Sequence, residues 1–286
     1  MLTLGLDSKP KLSRETFELL RDIVYSKSGV YFGDNKRYLL ETRLLRRLDE
    51  KNLKTFEDYY YFLSYDADRD REYQHLINSI VTNETSFFRD PVQLDVFKKG
   101  IVPRVLEEKI KNGSKTIRVW SAACSTGEEP YTLAMMLLEE GLPQKGWTIE
   151  VIGTDISDNV LRAALSAKYD RYTLRNTPEV YLRKYFQFSG GETFTVSPKV
   201  TELVKFKKIN LIDAFETKMI RGVDIILCRN VLIYFNDTSK KKAVSHLYDS
   251  LVKSGFLLVG FSESLHSITR VFRPVSMERS VVYQKM

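Results

Sequence analysis

The most constraining feature of this sequence is an alternation of two hydrophobic periods that begins at Thr116. Short apolar runs typical of buried strands alternate with longer segments whose apolar residues recur at helical spacing. In chain order these segments are 116–120, 131–140, 149–154, 160–167, 223–228, 240–252 and 256–261. This order predicts an α/β domain with a parallel sheet and helices on both faces. Ligands of such sheets bind at the carboxyl ends of the strands.

The loop after the first of these runs combines small residues with two carboxylates. Residues 121–130 read Ser-Ala-Ala-Cys-Ser-Thr-Gly-Glu-Glu-Pro, and Pro130 suits the first turn of the next helix. Small side chains let a ligand approach backbone N–H groups at a helix N-terminus. The dinucleotide glycine pattern and the P-loop lysine are absent, and Glu128 and Glu129 disfavour a polyphosphate. The loop indicates a ligand with hydroxyls or an ammonium group, or else a tight turn with an acidic first turn.

Asp155 ends the run 151–154, at the carboxyl end of a predicted strand. An acidic residue at this place can accept hydrogen bonds from both hydroxyls of a ribose. Ser157 already suits the cap of the next helix, so a capping role for Asp155 is less favoured. A ribose site without a polyphosphate loop indicates S-adenosylmethionine. Glu129 is then expected near its cationic methionine end, although a capping role for Glu129 is also open.

Residues up to about 90 are predicted to be helical and to form a small bundle. Ser13 and Thr55 suit helix starts, and Gly29 suits a helix end. On a helix over about 35–50, four leucines are predicted to share one face: Leu40, Leu44, Leu45 and Leu48. Four cations are predicted on the opposite face: Lys36, Arg43, Arg46 and Arg47. That face is either a solvated surface or a docking face for an acidic helix or nucleic acid.

The boundary between the two halves is unusual for a linker. Residues 82–91 place polar side chains around Phe87 and Phe88, and Pro91 discourages a continuous helix. We predict a helical domain over 1–82, a linker over 83–100 and the α/β domain over 101–286. The linker is expected to pack on the α/β domain and to bring Asn83, Thr85 or Arg89 to its site. A small antiparallel insertion is predicted over about 185–208.

The composition excludes several classes of protein. The formal charge is 44 − 37 = +7, which permits an acidic partner without identifying nucleic acid. No apolar run approaches the roughly 20 residues of a membrane span. The first ten residues lack signal-peptide features, so a cytoplasmic protein is expected. Cys124, Cys228 and three scattered histidines give no support for a disulfide framework or a metal site, and both cysteines are expected to be small buried residues.

Several of these motifs occur together and in order in the CheR family of chemotaxis-receptor methyltransferases. The chain resembles this family from about residue 13 to residue 283. The resemblance is carried by Thr82-Asn83-Glu84-Thr85-Ser86-Phe87-Phe88-Arg89, by 121–131, by Thr154-Asp155-Ile156, by Asn210-Leu211, by Cys228-Arg229-Asn230-Val231-Leu232-Ile233-Tyr234-Phe235 and by Gly260-Phe261-Ser262-Glu263-Ser264. It implies a Rossmann-like methyltransferase domain with a small β-subdomain, preceded by an all-α domain.

The resemblance also implies a reaction. A methyl group passes from S-adenosylmethionine to the γ-carboxylate of receptor glutamates, leaving S-adenosylhomocysteine. The implied catalytic residues are Arg89 and Tyr234. The implied cofactor contacts are Asn83, Thr85, Arg89, Glu129, Asp155, Asn210, Leu211, Arg229 and Asn230. Glutamate is ionised at neutral pH, so the reaction requires orientation and desolvation but no general base.

By the same resemblance, the cationic face of the second helix meets the acidic methylation helices in the cytoplasmic part of chemoreceptors. The short turn at 189–192 favours binding that does not depend on a tether from the receptor C-terminus. Two rival classes remain open: an RNA methyltransferase, which the positive charge permits, and a non-catalytic, cofactor-sensing adaptor. The absence of a proline pair after 223–228 disfavours methylation of base amines. A monomer without membrane insertion or a nucleic-acid partner is expected.

Overall fold

The computed structural model describes residues 10–286, which divide into two compact units at Thr82 and Asn83. The prediction about a signal peptide concerns residues that lie almost wholly outside this range. Within it, no helix is long and apolar enough to cross a membrane.

Four helices form the N-terminal unit: α1 (Arg14–Ser28), α2 (Arg37–Lys51), α3 (Phe56–Tyr65) and α4 (Arg69–Ile80). A 3-10 turn at Asp34–Lys36 leads into α2. The predicted helix ends are confirmed. Ser13 accepts a hydrogen bond from the Thr16 N–H, Gly29 ends α1 with φ of 75°, and Thr55 forms a capping box with Asp58.

The apolar face of α2 is confirmed for three of its four predicted leucines. Leu40, Leu44 and Leu48 are at most 1% exposed, whereas Leu45 is only partly buried. Arg47, predicted on the opposite face, is only 6% exposed. The prediction was wrong for Arg47 because it stands three residues after Leu44 and next to Leu48, on the flank of the apolar face.

The burial of Arg47 is possible because a carboxylate lies beside it inside the bundle. The Nε and Nη2 of Arg47 donate to the two carboxylate oxygens of Glu72, both at 2.8 Å. The Tyr59 hydroxyl donates to the same carboxylate at 2.8 Å. Glu72 and Tyr59 are 1% and 0% exposed. Arg47 also pairs with the more exposed Glu50. A buried charge of this kind persists only where it is paired and hydrogen-bonded.

The second unit, Asn83–Met286, contains ten strands. They are β1 (Thr116–Ala122), β2 (Thr148–Asp155), β3 (Lys168–Asp170), β4 (Phe186–Phe188), β5 (Thr193–Val196), β6 (Val204–Lys208), β7 (Val223–Cys228), β8 (Leu251–Val259), β9 (Phe272–Met277) and β10 (Ser280–Lys285). Its helices are α5 (Pro91–Asp95), a π-helical turn (Val96–Ile101), α6 (Val102–Lys111), α7 (Glu128–Glu139), α8 (Asp158–Ser166), α9 (Glu179–Tyr185), α10 (Pro198–Thr201), α11 (Ala214–Thr217) and α12 (Asp237–Ser250). Short 3-10 turns lie at Pro143–Lys145 and Leu232–Tyr234.

Seven strands form the main sheet in the order β6-β2-β1-β7-β8-β10-β9. The first five are parallel, and β10 is antiparallel to both of its neighbours. The predicted α/β architecture is confirmed. The sheet is mixed because β9 and β10 form an antiparallel hairpin at its edge. This hairpin was not predicted.

The small antiparallel sheet is also confirmed, but its extent differs from the prediction. It contains β3, β5 and β4 and therefore begins at Lys168. The strand predicted as its last, β6, pairs in parallel with β2 from Val151↔Val204 to Asp155↔Lys208 and belongs to the main sheet. The apolar pattern of a strand does not indicate which sheet the strand joins, because the choice of sheet depends on the path of the preceding chain.

The segment predicted as a linker is largely helical. Residues 83–90 are irregular, and from Pro91 the chain is helical through α5, the π-helical turn and α6 to Lys111. Pro91 therefore begins a helix, as its missing N–H allows. Phe87 and Phe88 are 0% and 6% exposed and pack in the core of the second unit, as expected. Phe87 contacts the ring of Tyr169 edge-on at a centroid distance of 4.8 Å.

The Arg47 ion pair generates a stability prediction. Arg47→Met removes the cation opposite the buried Glu72, so the free energy of unfolding should fall by about 3 kcal/mol. Arg46→Met, on the exposed side of α2, should change it by less than about 0.5 kcal/mol. The double variant Arg47→Met/Glu72→Leu should recover most of the loss, because both charges are then absent. Urea unfolding of the full chain measures all three, and equal losses in the single and double variants would contradict this account.

Glu128, in the first turn of α7, generates a pH prediction. It is 2% exposed, and burial raises its pKa to about 7. Between about pH 4.5 and pH 7 the unfolded chain loses this proton while the folded chain keeps it. The free energy of unfolding should therefore fall across this window, by about 1–3 kcal/mol.

Glu128→Gln should abolish that contribution, so the stability gain of the variant over the wild type should grow from about pH 5 to about pH 8. Glu192→Gln, at an exposed position, serves as the matched control and should show no such growth. Urea unfolding at both pH values measures the difference. A pH-independent difference for Glu128→Gln would mean that this carboxyl titrates at its ordinary pKa.

Candidate active site

The carboxyl ends of the parallel strands form one edge of the main sheet. From the central strand β1 the chain proceeds to β2 and β6 on one side, and later to β7 and β8 on the other. The order of the strands therefore reverses between β1 and β7. A crevice opens at such a reversal, and ligands of open α/β sheets bind there. The loops after β1, β2, β7 and β8 carry most of the predicted site residues.

The loop after β1 has an unusual backbone. Ala123, Ser125 and Gly127 have φ of 62°, 50° and 94°, in the left-handed region. A Cβ at Gly127 would lie 2.8 Å from the Cβ of Ala164 in α8, so only glycine fits there. The small residues thus permit a tight turn, which brings backbone N–H groups to the start of α7.

Asp155 holds this loop in place. Its Oδ2 accepts the Ser125 N–H at 2.9 Å, and its Oδ1 accepts the Ser157 N–H at 3.0 Å. The side chain is 7% exposed, and burial raises the pKa of Asp155 above its usual range. Ser157 caps α8, as predicted. A carboxylate offers about four acceptor sites, so Asp155 can accept further hydrogen bonds, as a ligand hydroxyl would require.

Glu129 and Arg229, both predicted as cofactor contacts, bind each other. The Arg229 Nη1 lies 2.9 Å from the Glu129 Oε2, and the Ser121 hydroxyl donates to the Glu129 Oε1 at 2.7 Å. Arg229 is 8% exposed. The ion pair joins the end of β7 to the first turn of α7, across the place where the strand order reverses.

Arg229 also holds the segment between Phe88 and α5. Its Nε donates to the Gln93 side chain at 2.7 Å, and its Nη2 donates to the Arg89 carbonyl at 3.1 Å and to the Asp90 carboxylate. The Gln93 amide in turn donates to the Val259 carbonyl at 2.7 Å. All three donor nitrogens of Arg229 are thus bound by protein groups. Sequence reasoning missed Gln93 because nothing in its helical surroundings distinguishes it.

The other predicted residues of this segment lie nearby. Arg89 is half-buried, and its Nη1 donates to the Glu84 carbonyl at 2.9 Å. The Asn83 carbonyl accepts the Ser125 hydroxyl at 3.2 Å, which places Asn83 beside the loop after β1. Thr85 is half-buried. The segment 83–90 therefore closes over the same edge of the sheet as the loops.

Asn210 and Leu211 follow β6, and hydrogen bonds of their backbone and of the Asn210 side chain fix them in place. The Asn210 N–H donates to the Glu216 carboxylate at 2.6 Å, and the Asn210 side-chain oxygen accepts the Ile212 N–H at 3.2 Å. Leu211 is 5% exposed, and its carbonyl lies 2.9 Å from the His246 Nδ1. An apolar side chain and a fixed turn beside the Asp155 strand suit the flat base of a nucleoside.

The loop after β7 places Asn230 and Tyr234. Asn230 has φ of 59°, and the 3-10 turn Leu232–Tyr234 leaves Tyr234 half-buried. Cys228, just before this loop, and Cys124 are both buried and free, as expected. Burial raises the pKa of both thiols well above the usual range, so neither supplies a thiolate nucleophile.

The arrangement is suited to a ligand with a ribose and a cationic group. Asp155 and Glu129 bring negative charge to the crevice, and Arg229, which could attract a phosphate, is already occupied by two carboxylates and two neutral acceptors. Among residues 10–286 there is no cluster of His, Cys, Asp or Glu side chains that could hold a metal ion. The geometry thus fits the adenosyl sulfonium indicated by the sequence.

Comparison with known proteins agrees with this geometry. Residues 83–281 match the family model of the CheR methyltransferase, SAM binding domain, and residues 15–81 match that of the CheR methyltransferase, all-alpha domain. Chemotaxis protein methyltransferase 2 of Vibrio cholerae is 34% identical over 93% of this chain and 91% of its own. The chemotaxis protein methyltransferase of Borreliella burgdorferi is 33% identical over 89% of each chain. That of Escherichia coli is 32% identical over 95% of this chain and 92% of its own.

These matches span both units and include every loop described above. They explain why an all-α unit precedes a crevice built for S-adenosylmethionine. The chain belongs to the CheR methyltransferase family.

Proposed function

We propose that this protein transfers the methyl group of S-adenosylmethionine to glutamate side chains of chemotaxis receptors, in the adaptation of bacterial chemotaxis. The products are glutamate methyl esters and S-adenosylhomocysteine. The observation that carries the proposal is the Asp155 carboxylate, which binds the small-residue loop at the edge where the strand order reverses, in a chain related over its length to chemotaxis protein methyltransferases.

The cofactor would be held by residues from five segments. Asp155 accepts hydrogen bonds from the ribose hydroxyls, and Leu211 packs beside the adenine with Asn210. Asn83 and Thr85 approach from the segment before α5. Asn230 approaches from the loop after β7. Glu129 faces the cationic methionine end while its other contacts hold it to Arg229 and Ser121.

The bound sulfonium supplies an activated methyl group. A receptor glutamate is already ionised at neutral pH, so the protein has no proton to remove. Its task is to exclude water from a carboxylate and a cation, and to align the attacking oxygen with the methyl group. Arg89 is the proposed partner of the incoming carboxylate, and Tyr234 is proposed to help position it. The Nη1 of Arg89 is held by the Glu84 carbonyl, which directs the guanidinium.

The receptor would be recognised by the exposed cations of the N-terminal unit. Lys36 and Arg46 are exposed, and Arg43 is half-exposed with its Nη2 on the Thr82 hydroxyl at 2.8 Å. Arg46 pairs with Glu50 through a single exposed ion pair, which is readily exchanged. Arg47 is withdrawn from the proposed surface because it lies inside the bundle. The partner is the acidic methylation helices in the cytoplasmic part of the receptor.

We further propose a cytoplasmic monomer that neither enters the membrane nor binds nucleic acid. Within the antiparallel insertion, a tight turn at residues 189–192 connects β4 to β5. This short turn favours binding that does not depend on a tether from the receptor C-terminus.

The function is tested by transfer of labelled methyl groups from S-adenosylmethionine to membranes that contain chemoreceptors. The label should appear on the receptor and should be released as methanol by brief alkaline treatment, because carboxyl esters hydrolyse in base. Label that survives base would indicate an amine acceptor. Label on added RNA, or cofactor binding without any transfer, would overturn the proposal in favour of an RNA methyltransferase or an adaptor.

The receptor surface is tested by charge reversal. Arg43→Glu/Arg46→Glu should lower kcat/KM for receptor methylation by about 10-fold or more, since it reverses the sign of the proposed face. Arg14→Glu/Arg71→Glu makes the same charge change at exposed positions elsewhere in the unit and should have little effect.

Calorimetry should show unchanged binding of S-adenosylmethionine by both double variants. The wild-type kcat/KM should also fall as salt is raised, because exposed charges are screened over about 10 Å at 0.1 M ionic strength. Equal losses in the two double variants would mean that net charge, and not this face, determines receptor methylation.

A further inference from the structure

Glu263, in the loop after β8, has no role in the site as described so far. Its side-chain Oε2 accepts the Gly260 N–H at 2.7 Å and the Asn230 N–H at 2.8 Å. Its Oε1 accepts the Ile233 N–H at 3.1 Å. One carboxylate thus binds three backbone N–H groups, and two of them belong to the loop after β7.

In the described part of the chain, the Glu263 carboxylate accepts hydrogen bonds from these three N–H groups and has no cationic partner. Within residues 10–286, none of the ion pairs involves Glu263, although unpaired arginines such as Arg270 and Arg279 lie in the same C-terminal region. A carboxylate that accepts several backbone N–H groups and has no cation partner is characteristic of a group that fixes a loop.

The space around Gly260 is matched to this carboxylate. A Cβ at position 260 would lie 2.7 Å from the Glu263 Oε2 and 2.9 Å from the Asn230 nitrogen. Gly260 therefore lets the loop after β8 approach the loop after β7 closely enough for one side chain to bind both. The Glu263 N–H in turn donates to the Gly260 carbonyl at 2.8 Å, which closes the turn.

The loop held by Glu263 has an unusual backbone. Asn230 is in the left-handed region, which asparagine adopts more readily than other non-glycine residues, and Glu263 binds its N–H there. Ile233 lies in the 3-10 turn that ends at Tyr234. Arg229 holds the start of the loop through its side chain, Leu232 is buried at 3% exposure, and Glu263 binds the backbone N–H groups of Asn230 and Ile233.

We propose that Glu263 is a positioning residue for methyl transfer. It holds Asn230 against the cofactor crevice through its Oε2, and through its Oε1 it holds the turn that presents Tyr234 to the incoming carboxylate. The second part rests on the proposed function. Glu263 itself need not contact either substrate.

The two oxygens allow the two tasks to be separated. In Glu263→Gln the amide oxygen can still accept from Gly260 and Asn230, but its NH2 group would face the Ile233 N–H, donor against donor. In Glu263→Ala all three hydrogen bonds are lost. The glutamine variant should therefore loosen only the Tyr234 turn, and the alanine variant should also release Asn230.

The experiment compares kcat for receptor methylation at saturating substrates with the calorimetric Kd for S-adenosylmethionine. Glu263→Gln should lower kcat about 10-fold with Kd changed by less than about 3-fold, since misplacement by a fraction of an ångström slows an aligned transfer. Glu263→Ala should lower kcat further and raise Kd about 10-fold. Glu278→Gln removes an exposed carboxylate from the nearby hairpin and should leave both values unchanged.

A merely structural role predicts another pattern. If Glu263→Gln keeps the wild-type kcat, or if the losses of both variants disappear when the assay is cooled well below their melting temperatures, the inference is overturned. If the wild type itself does not methylate receptors, the proposed function fails instead. In that case the order of the Kd values, with the alanine variant weaker than the glutamine variant, still decides whether Glu263 holds Asn230.

Discussion

The buried guanidinium of Arg229 is the contact on which the rest of the site depends. It binds Glu129 at the start of α7, Gln93 in α5 and both Asp90 and the Arg89 carbonyl before α5. Two segments that are distant in sequence, residues 89–93 and the first turn of α7, are thereby fixed to the end of β7. A buried charge is stable only when its donors are satisfied, so these segments cannot move apart independently without a large loss of free energy. The geometry of the crevice follows from this requirement.

The backbone near the site is held in unfavourable conformations by the same kind of contact. Five of the nine non-glycine residues with left-handed φ in the described part of the chain lie in the site segments: Phe88, Asp90, Ala123, Ser125 and Asn230. At Phe88, Ala123 and Ser125 this conformation costs of order 1–3 kcal/mol and persists only where surrounding contacts offset the cost, whereas Asp90 and Asn230 tolerate it better. Asp155 binds the Ser125 N–H, and Glu263 binds the Asn230 N–H. Acidic side chains thus fix the loops of the proposed cofactor site and also bring negative charge to them.

In the N-terminal unit, one arginine of α2 is buried in an ion pair and its neighbour is exposed. The unit's one deeply buried guanidinium among the described ion pairs, Arg47, stabilises the bundle through Glu72, whereas the neighbouring Arg46 remains exposed and exchangeable. Two adjacent arginines in one helix therefore differ in purpose. This difference agrees with the proposed receptor surface, because Arg46 is accessible to a partner and Arg47 is not.

The sequence by itself determined the alternating strands and helices of the α/β domain and most helix ends of the N-terminal unit, because strand and helix periods and capping residues are local properties. The same local patterns place Asp155 and the loop 121–130 at the ends of strands, where we propose the cofactor site. Only the tertiary structure decided that β6 joins the main sheet, that Arg47 is buried and that Arg229 binds Glu129. It also decided that Glu263 joins two loops. Each of these depends on which distant segments meet, as with Arg47 and Glu72, which lie 25 residues apart, and no local period records that.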